Sequence, residues 1–326
     1  MFRFAHLLTL LSLLWLLVGC ATRDATIAAD LEPGRLPAPD TTLAIAGFGP
    51  CTDNPDRRLH LDARQPVTVL VHGCFGSSGQ FRALAQVLAF HGQQSACFTY
   101  DDRARLGDSA AELRHALRQL AEQSQVPRID LIGHSQGALV ARRALTDELP
   151  APLPAAPVDL RLVTVSGPFS GIESARTCGR RWLYPLTLGL LPLSCLAATG
   201  PKWADITFAS PFILEPGALS ARVGQHLKID TDERGSCRSD AEGRCVESDD
   251  IFSLAEQRTP VPDNDPRVSR VQVDAGHVEI VGDKRVAPTK LIAVLQQQGV
   301  LQPTAPQRQA AFDRLLARLY GQRSAP

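Results

Sequence analysis

The chain has no surplus of charge of either sign. Lys+Arg and Asp+Glu both number 34 in 326 residues. Without a basic excess there is no electrostatic basis for holding a polyanion, so nucleic-acid binding is set aside. The sequence also has no CxxC and no histidine pair at ligand spacing, so no metal site is expected. It has no internal repeat, which excludes a solenoid or propeller. At 44% hydrophobic and 21% charged residues, it is neither disordered nor fibrous.

Long apolar runs are also missing, apart from one near the start. Arg3 and His6 precede Leu7 to Val18, which is too short for a comfortable membrane span. The run ends in Leu17-Val18-Gly19-Cys20, small residues that admit a peptidase followed by a thiol. Residues 1–19 therefore read as a signal peptide. The tetrad resembles the bacterial lipoprotein lipobox, which implies that Cys20 becomes an acylated first residue and tethers the protein to a membrane. Ala21 follows the Cys, with no Asp to suggest inner-membrane retention, so the outer membrane facing the periplasm is the expected location. Pro33, Pro37 and Pro39 mark residues 20–40 as a tether, and residues 41–326 read as one domain.

The remaining seven cysteines fit an oxidising compartment. Close spacing pairs Cys178 with Cys195 and Cys237 with Cys245. Cys74 and Cys97 stand at the ends of neighbouring predicted strands and are expected to form a third bridge, which leaves Cys51 unpaired.

From the tether onward, strand and helix patterns alternate. Strands are expected at 67–71, 96–100, 129–133, 160–165, 226–230 and 268–273. Helices are expected at 79–91, 108–123 (capped by Asp108 or Ser109), 135–149 and 288–298, with an amphipathic C-terminal helix over about 304–322. This order predicts an α/β fold with a mostly parallel sheet and helices on both faces.

The strand Ile129–Gly133 runs into Gly133-His134-Ser135-Gln136-Gly137 and then into a helix of small and apolar residues. G-x-S-x-G between a strand and a helix is the setting in which a sharp turn exposes a nucleophilic serine, here Ser135. A second loop, His72-Gly73-Cys74-Phe75-Gly76, follows the strand Val67–Val71. Backbone N–H groups of Cys74 and of Gln136 are the expected oxyanion donors.

These segments resemble the α/β-hydrolase superfamily. The likeness is to bacterial lipases with G-H-S-Q-G at the nucleophile and V-H-G at the oxyanion loop, and it extends over roughly residues 65 to 300. Val165 to Gly171 is similar to the T-P-H-x-G stretch of those lipases, with Phe169 where they carry His. The resemblance implies the α/β-hydrolase fold and a triad in the chain order Ser, acid, His, with no cofactor. Only His226 and His277 follow Ser135. His226 opens a predicted strand, whereas His277 lies in a small-residue loop past one, so His277 is the expected base. Asp250 is the expected acid, since Glu247 to Leu254 resembles the acid-bearing D-G-x-V-P stretch. Asp249, Asp230 and Asp232 are the alternatives.

An apolar, disulfide-bounded insertion at about 172–204 occupies the place of a lipase lid. It is read either as a surface for acyl chains or as a cap helix packed on the core. Together these features imply an ester hydrolase acting on lipid or other acyl esters. Thioesterase or acyltransferase chemistry would use the same residues, and an inactive envelope scaffold is the non-enzymatic alternative.

Overall fold

The computed structural model describes residues 36, 38–155, 157–180, 182–282 and 286–321. Cys20 and the expected signal peptide lie outside them. In chain order the main elements are β1 (Phe48–Gly49), β2 (Val67–Val71), α1 (Arg82–Phe90), β3 (Gln94–Phe98), α2 (Leu106–Gln123), β4 (Arg128–His134) and α3 (Gln136–Ala144). They continue with β5 (Asp159–Val165), α4 (Leu190–Thr199), β6 (Val223–Asp232), β7 (Val268–Asp274), α5 (Thr289–Gln297) and α6 (Gln309–Tyr320).

The seven strands form one sheet in the order β7-β6-β5-β4-β2-β3-β1. Every neighbouring pair is parallel except β1 with β3. All five residues of β2 are buried, as expected of a central strand covered on both faces. Leu84, Leu88, Leu291, Leu295, Phe312 and Leu315 pack on one face, and Leu106, Leu113, Leu117 and Leu139 on the other. After β2 the chain builds β3 on one side and then crosses to build β4 on the other. The carboxyl ends of β2 and β4 thus flank the point where strand order reverses, the usual location for a site in an open α/β sheet.

Several boundaries differ from the sequence expectation for identifiable reasons. Helix α2 starts at Leu106, because the buried Asp205 carboxylate accepts the Leu106 N–H at 2.8 Å. Asp108 and Ser109 are therefore not the cap. Helix α3 stops at Ala144, short of Leu149. Buried Arg114 collects the carbonyls of Ala144, Thr146, Leu149 and Ala151, and Thr146 pairs with Leu219.

The expected Cys74–Cys97 bridge does not form. Antiparallel pairing of Gly49 with Cys97 brings Cys51 alongside, and the disulfide is Cys51–Cys97. Cys74 lies three residues past the end of β2 and is the free cysteine among the described residues. The Cys178–Cys195 and Cys237–Cys245 bridges are present. Within the insertion, Trp182, Leu186, Leu190 and Leu193 are exposed and Leu188 is 89% exposed, so this segment is not a cap buried in the core.

Candidate active site

Ser135 stands between β4 and α3 with φ 57° and ψ −127°, a left-handed conformation that a side chain other than glycine's rarely adopts. The surrounding glycines allow the turn. A Cβ on Gly133 would collide with the Gly137 carbonyl, and one on Gly137 with the carbonyls of Val71 and His72. The Ser135 N–H donates to the Val165 carbonyl at 2.9 Å, which fixes the turn against the next strand.

His277 follows β7 and brings Nε2 to 3.0 Å from Ser135 Oγ. Its Nδ1 lies 2.9 Å from Glu233 Oε1. A carboxylate only accepts, so Nδ1 carries the proton and Nε2 is left bare to accept the Ser135 hydroxyl proton. Glu233 is the first residue beyond β6, as His277 lies just beyond neighbouring β7. Parallel pairing of Asp232 with Asp274 sets the two strand ends level.

Glu233 is buried and every polar contact around it is a donor or a rotatable hydroxyl. Oε2 accepts the N–H groups of Ile251 and Phe252 at 2.8 and 2.7 Å. Oε1 accepts the Ser166 hydroxyl at 2.6 Å and has Thr231 Oγ1 at 2.8 Å. Burial works against the charge. The hydrogen bond and charge of His277, with the bonds from Ser166 and Phe252, outweigh it and hold the pKa below the ordinary glutamate range. Ser166, at φ 48°, also lies 2.9 Å from His277 Nδ1. Gln257 pins Thr231 from both sides, accepting its N–H at 2.8 Å and donating to its carbonyl at 2.7 Å.

Two further residues position the histidine. His134 Nε2 is 2.9 Å from the His277 carbonyl. Burial lowers the His134 pKa to about 3, so near neutral pH the ring is uncharged and donates that bond through Nε2–H. Buried Asp249 accepts the N–H groups of Val278 and Glu279 at 3.0 Å each, which holds the loop behind the ring.

The expected acid is therefore not where Asp250 lies. Asp250 is exposed, and its N–H bonds to Ser248 Oγ at 3.1 Å. Asp249 serves the loop backbone. Buried Asp230 is engaged by Lys228 and, at 3.3 Å, by Arg258, while Asp232 pairs with exposed Arg234. The carboxylate at the ring is Glu233, one residue past Asp232. The signal was available, since the fold accepts Asp or Glu at a strand end. His226 is fully buried and bonded to Thr164 Oγ1 at 2.8 Å, so it is held within the sheet as expected.

The loop after β2 runs beside the nucleophile. A Cβ on Gly73 would stand 2.8 Å from Ser135 Cβ, and Cys74 is the next residue. Gln136 is the first residue of α3, so its N–H has no intrahelical acceptor, and its side chain is tied to the Asp102 carbonyl at 3.0 Å. Among the described residues no cluster of metal-ligating side chains occurs.

The family model that matches the chain is described as a domain of unknown function (DUF7379) and covers residues 44–195, which include Ser135 but not His277. No curated protein sequence matches the chain. Among solved structures, the lipase BlEst2 of Bacillus licheniformis in its propeptide form aligns with a TM-score of 0.51 at 16% identity. That alignment covers 82% of this chain and 55% of that one. The mature form aligns at 0.49 and 15% identity, covering 80% and 98%. The esterase Pf2001 of Pyrococcus furiosus aligns at 0.42 and 16% identity, covering 72% and 81%. With the sheet order and the turn at Ser135, the chain has the α/β-hydrolase fold.

Proposed function

We propose that this protein is a serine hydrolase of carboxylic esters, acting through Ser135, His277 and Glu233. The observation that carries the reading is the unbroken chain of contacts from Ser135 Oγ through both ring nitrogens of His277 to a buried carboxylate. In the reaction Ser135 Oγ attacks the ester carbonyl while His277 Nε2 takes its proton. Glu233 stabilises the imidazolium and keeps the reactive tautomer. The backbone N–H groups of Cys74 and Gln136 receive the oxyanion. Collapse releases the alcohol with the proton from Nε2, and water, activated by the same nitrogen, frees the acyl group from Ser135. No step needs a metal or an organic cofactor.

Lipid or other acyl esters are the substrates we favour. The support is the exposed, uncharged surface of Trp182, Leu186, Leu188, Leu190 and Leu193, which suits contact with acyl chains. The Leu-Val-Gly-Cys tetrad supports export and attachment of the protein to the cell envelope through a lipidated Cys20, with the outer membrane as its location. A fluorophosphonate probe tests the reaction class. Labelling of the full protein that is lost in Ser135→Ala is expected. Absence of labelling in the folded parent protein would overturn the hydrolase reading and favour a scaffold.

A further inference from the structure

We propose that Cys74 and Lys202 form a modification site at which peroxide joins the two side chains through one bridging oxygen, Cys74 Sγ–O–Nζ Lys202. Three disulfides occupy the other six described cysteines, and Cys74 is left without a thiol partner. Its neighbour is an amine. Lys202 Nζ stands 2.8 Å from Cys74 Sγ, a separation typical of nitrogen and oxygen in a hydrogen bond, although sulfur is the larger atom. The Lys202 side chain is 1% exposed, so solvent does not compete for it.

The lysine is also held from both ends. Its N–H donates to the Arg103 carbonyl at 3.2 Å, and the Arg103 guanidinium returns to the carbonyls of Ala197 and Ala198. At the other end, Nζ sits 3.4 Å from Asp102 Oδ2 and 5.2 Å from the centre of the Phe75 ring. Withdrawal of the amine would break these contacts together. Cys74 is only half-buried, so a molecule as small as hydrogen peroxide reaches it. Burial pushes the thiol above its ordinary range, against the pull of Lys202, so the thiolate that peroxide attacks is a minor form.

The chemistry balances with two molecules of peroxide. The first oxidises the Cys74 thiol to a sulfenic acid and leaves as water. The second accepts two further electrons as the sulfenic oxygen bonds to Nζ in its free-amine form. The proton from that oxygen and one from Nζ complete two more waters. The product would fix the loop after β2 to the insertion that carries Lys202. The inference does not rest on the hydrolase reading, although that reading puts the Cys74 N–H beside the substrate.

Peptide mass spectrometry of the full protein after peroxide treatment, under non-reducing conditions, tests the site. The expected product is a Cys74–Lys202 peptide pair one oxygen heavier and two hydrogens lighter than the two peptides apart. It resists trypsin at Lys202, and a thiol reductant restores an alkylatable Cys74. Lys202→Arg, which keeps the charge, and Cys74→Ser should each lose the product while still unfolding in one cooperative transition. Four outcomes overturn the proposal. Three are Cys74 as sulfinic acid with Lys202 free, Cys74 in a direct sulfur–nitrogen link without the oxygen, and Cys74 in an exchanged disulfide. The fourth is an unmodified pair at a peroxide level that oxidises added glutathione. None of these readouts depends on esterase activity.

Discussion

Replacing Glu233 by glutamine removes one charge while keeping nearly the same shape, so the outcome depends on where the amide NH2 turns. At the Oε2 position it would face the N–H groups of Ile251 and Phe252, both fixed donors. At the Oε1 position it would face the Ser166 and Thr231 hydroxyls, which can rotate to accept, and His277 Nδ1. The second orientation is therefore preferred. Nδ1 must then be the bare nitrogen and Nε2 must carry the proton, so the ring points a donor at Ser135 and cannot take its proton. The carboxylate that would have stabilised the imidazolium is also gone. Loss of both effects in a serine triad costs about 10⁴-fold in kcat, or about 5 kcal/mol of transition-state stabilisation. We therefore expect Glu233→Gln to hydrolyse a short-chain nitrophenyl ester about 10⁴-fold more slowly than the parent protein. Asp250→Asn, exposed and remote from the ring, should stay within a few-fold. Circular dichroism on both variants separates chemistry from unfolding. The assignment fails if folded Glu233→Gln keeps a tenth or more of the parent rate, or if Asp250→Asn is the inactive one.

The same carboxylate makes stability depend on acid. Its folded pKa lies below the unfolded value, so its charge stabilises fully above the ordinary glutamate range and is lost as pH falls through the folded value. The difference in melting temperature between the parent and Glu233→Gln should narrow as pH drops below about 4, and a constant difference would contradict this. Asp249→Ala leaves the N–H groups of Val278 and Glu279 unpaired, and urea titration should show a loss of about 3 kcal/mol together with reduced kcat. The Cys51–Cys97 bridge spans 46 residues, and loop-closure entropy assigns it about 4 kcal/mol. The double variant Cys51→Ser/Cys97→Ser should melt on the order of 10 °C lower, as differential scanning calorimetry would show. Cys20→Ser should move the protein from the membrane pellet to the soluble fraction. Retention on membranes after a salt wash would put the attachment elsewhere.

What could be read in the sequence, and what could not, follows from how each feature is encoded. The buried parallel strands are continuous apolar runs, and Val67–Val71 appears in the structure with the same bounds. Ser135 is legible because its turn needs glycine two residues to either side, where any Cβ would strike backbone. His277 is legible by chain order, since the other histidine after the serine is locked into a strand. Long-range partners leave no such local trace. Asp205, 99 residues away, sets the start of α2, and Arg114, on α2, sets the end of α3. The acid falls between these cases. Nothing local separates Asp230, Asp232 and Glu233 in Ile229 to Glu233. Side chains alternate across a strand, but Glu233 stands just past the end of β6, where alternation no longer decides its direction. What selects it is competition for partners: Lys228 and Arg258 engage Asp230, and Arg234 engages Asp232. Glu233 alone of the three meets the ring, and it is held there by hydroxyls and backbone N–H groups that bring no charge of their own. A carboxylate held by hydroxyls and backbone N–H groups rather than by lysine or arginine can respond to the charge that develops on the ring it orients. One already neutralised by lysine or arginine responds less, whatever its place in the sequence.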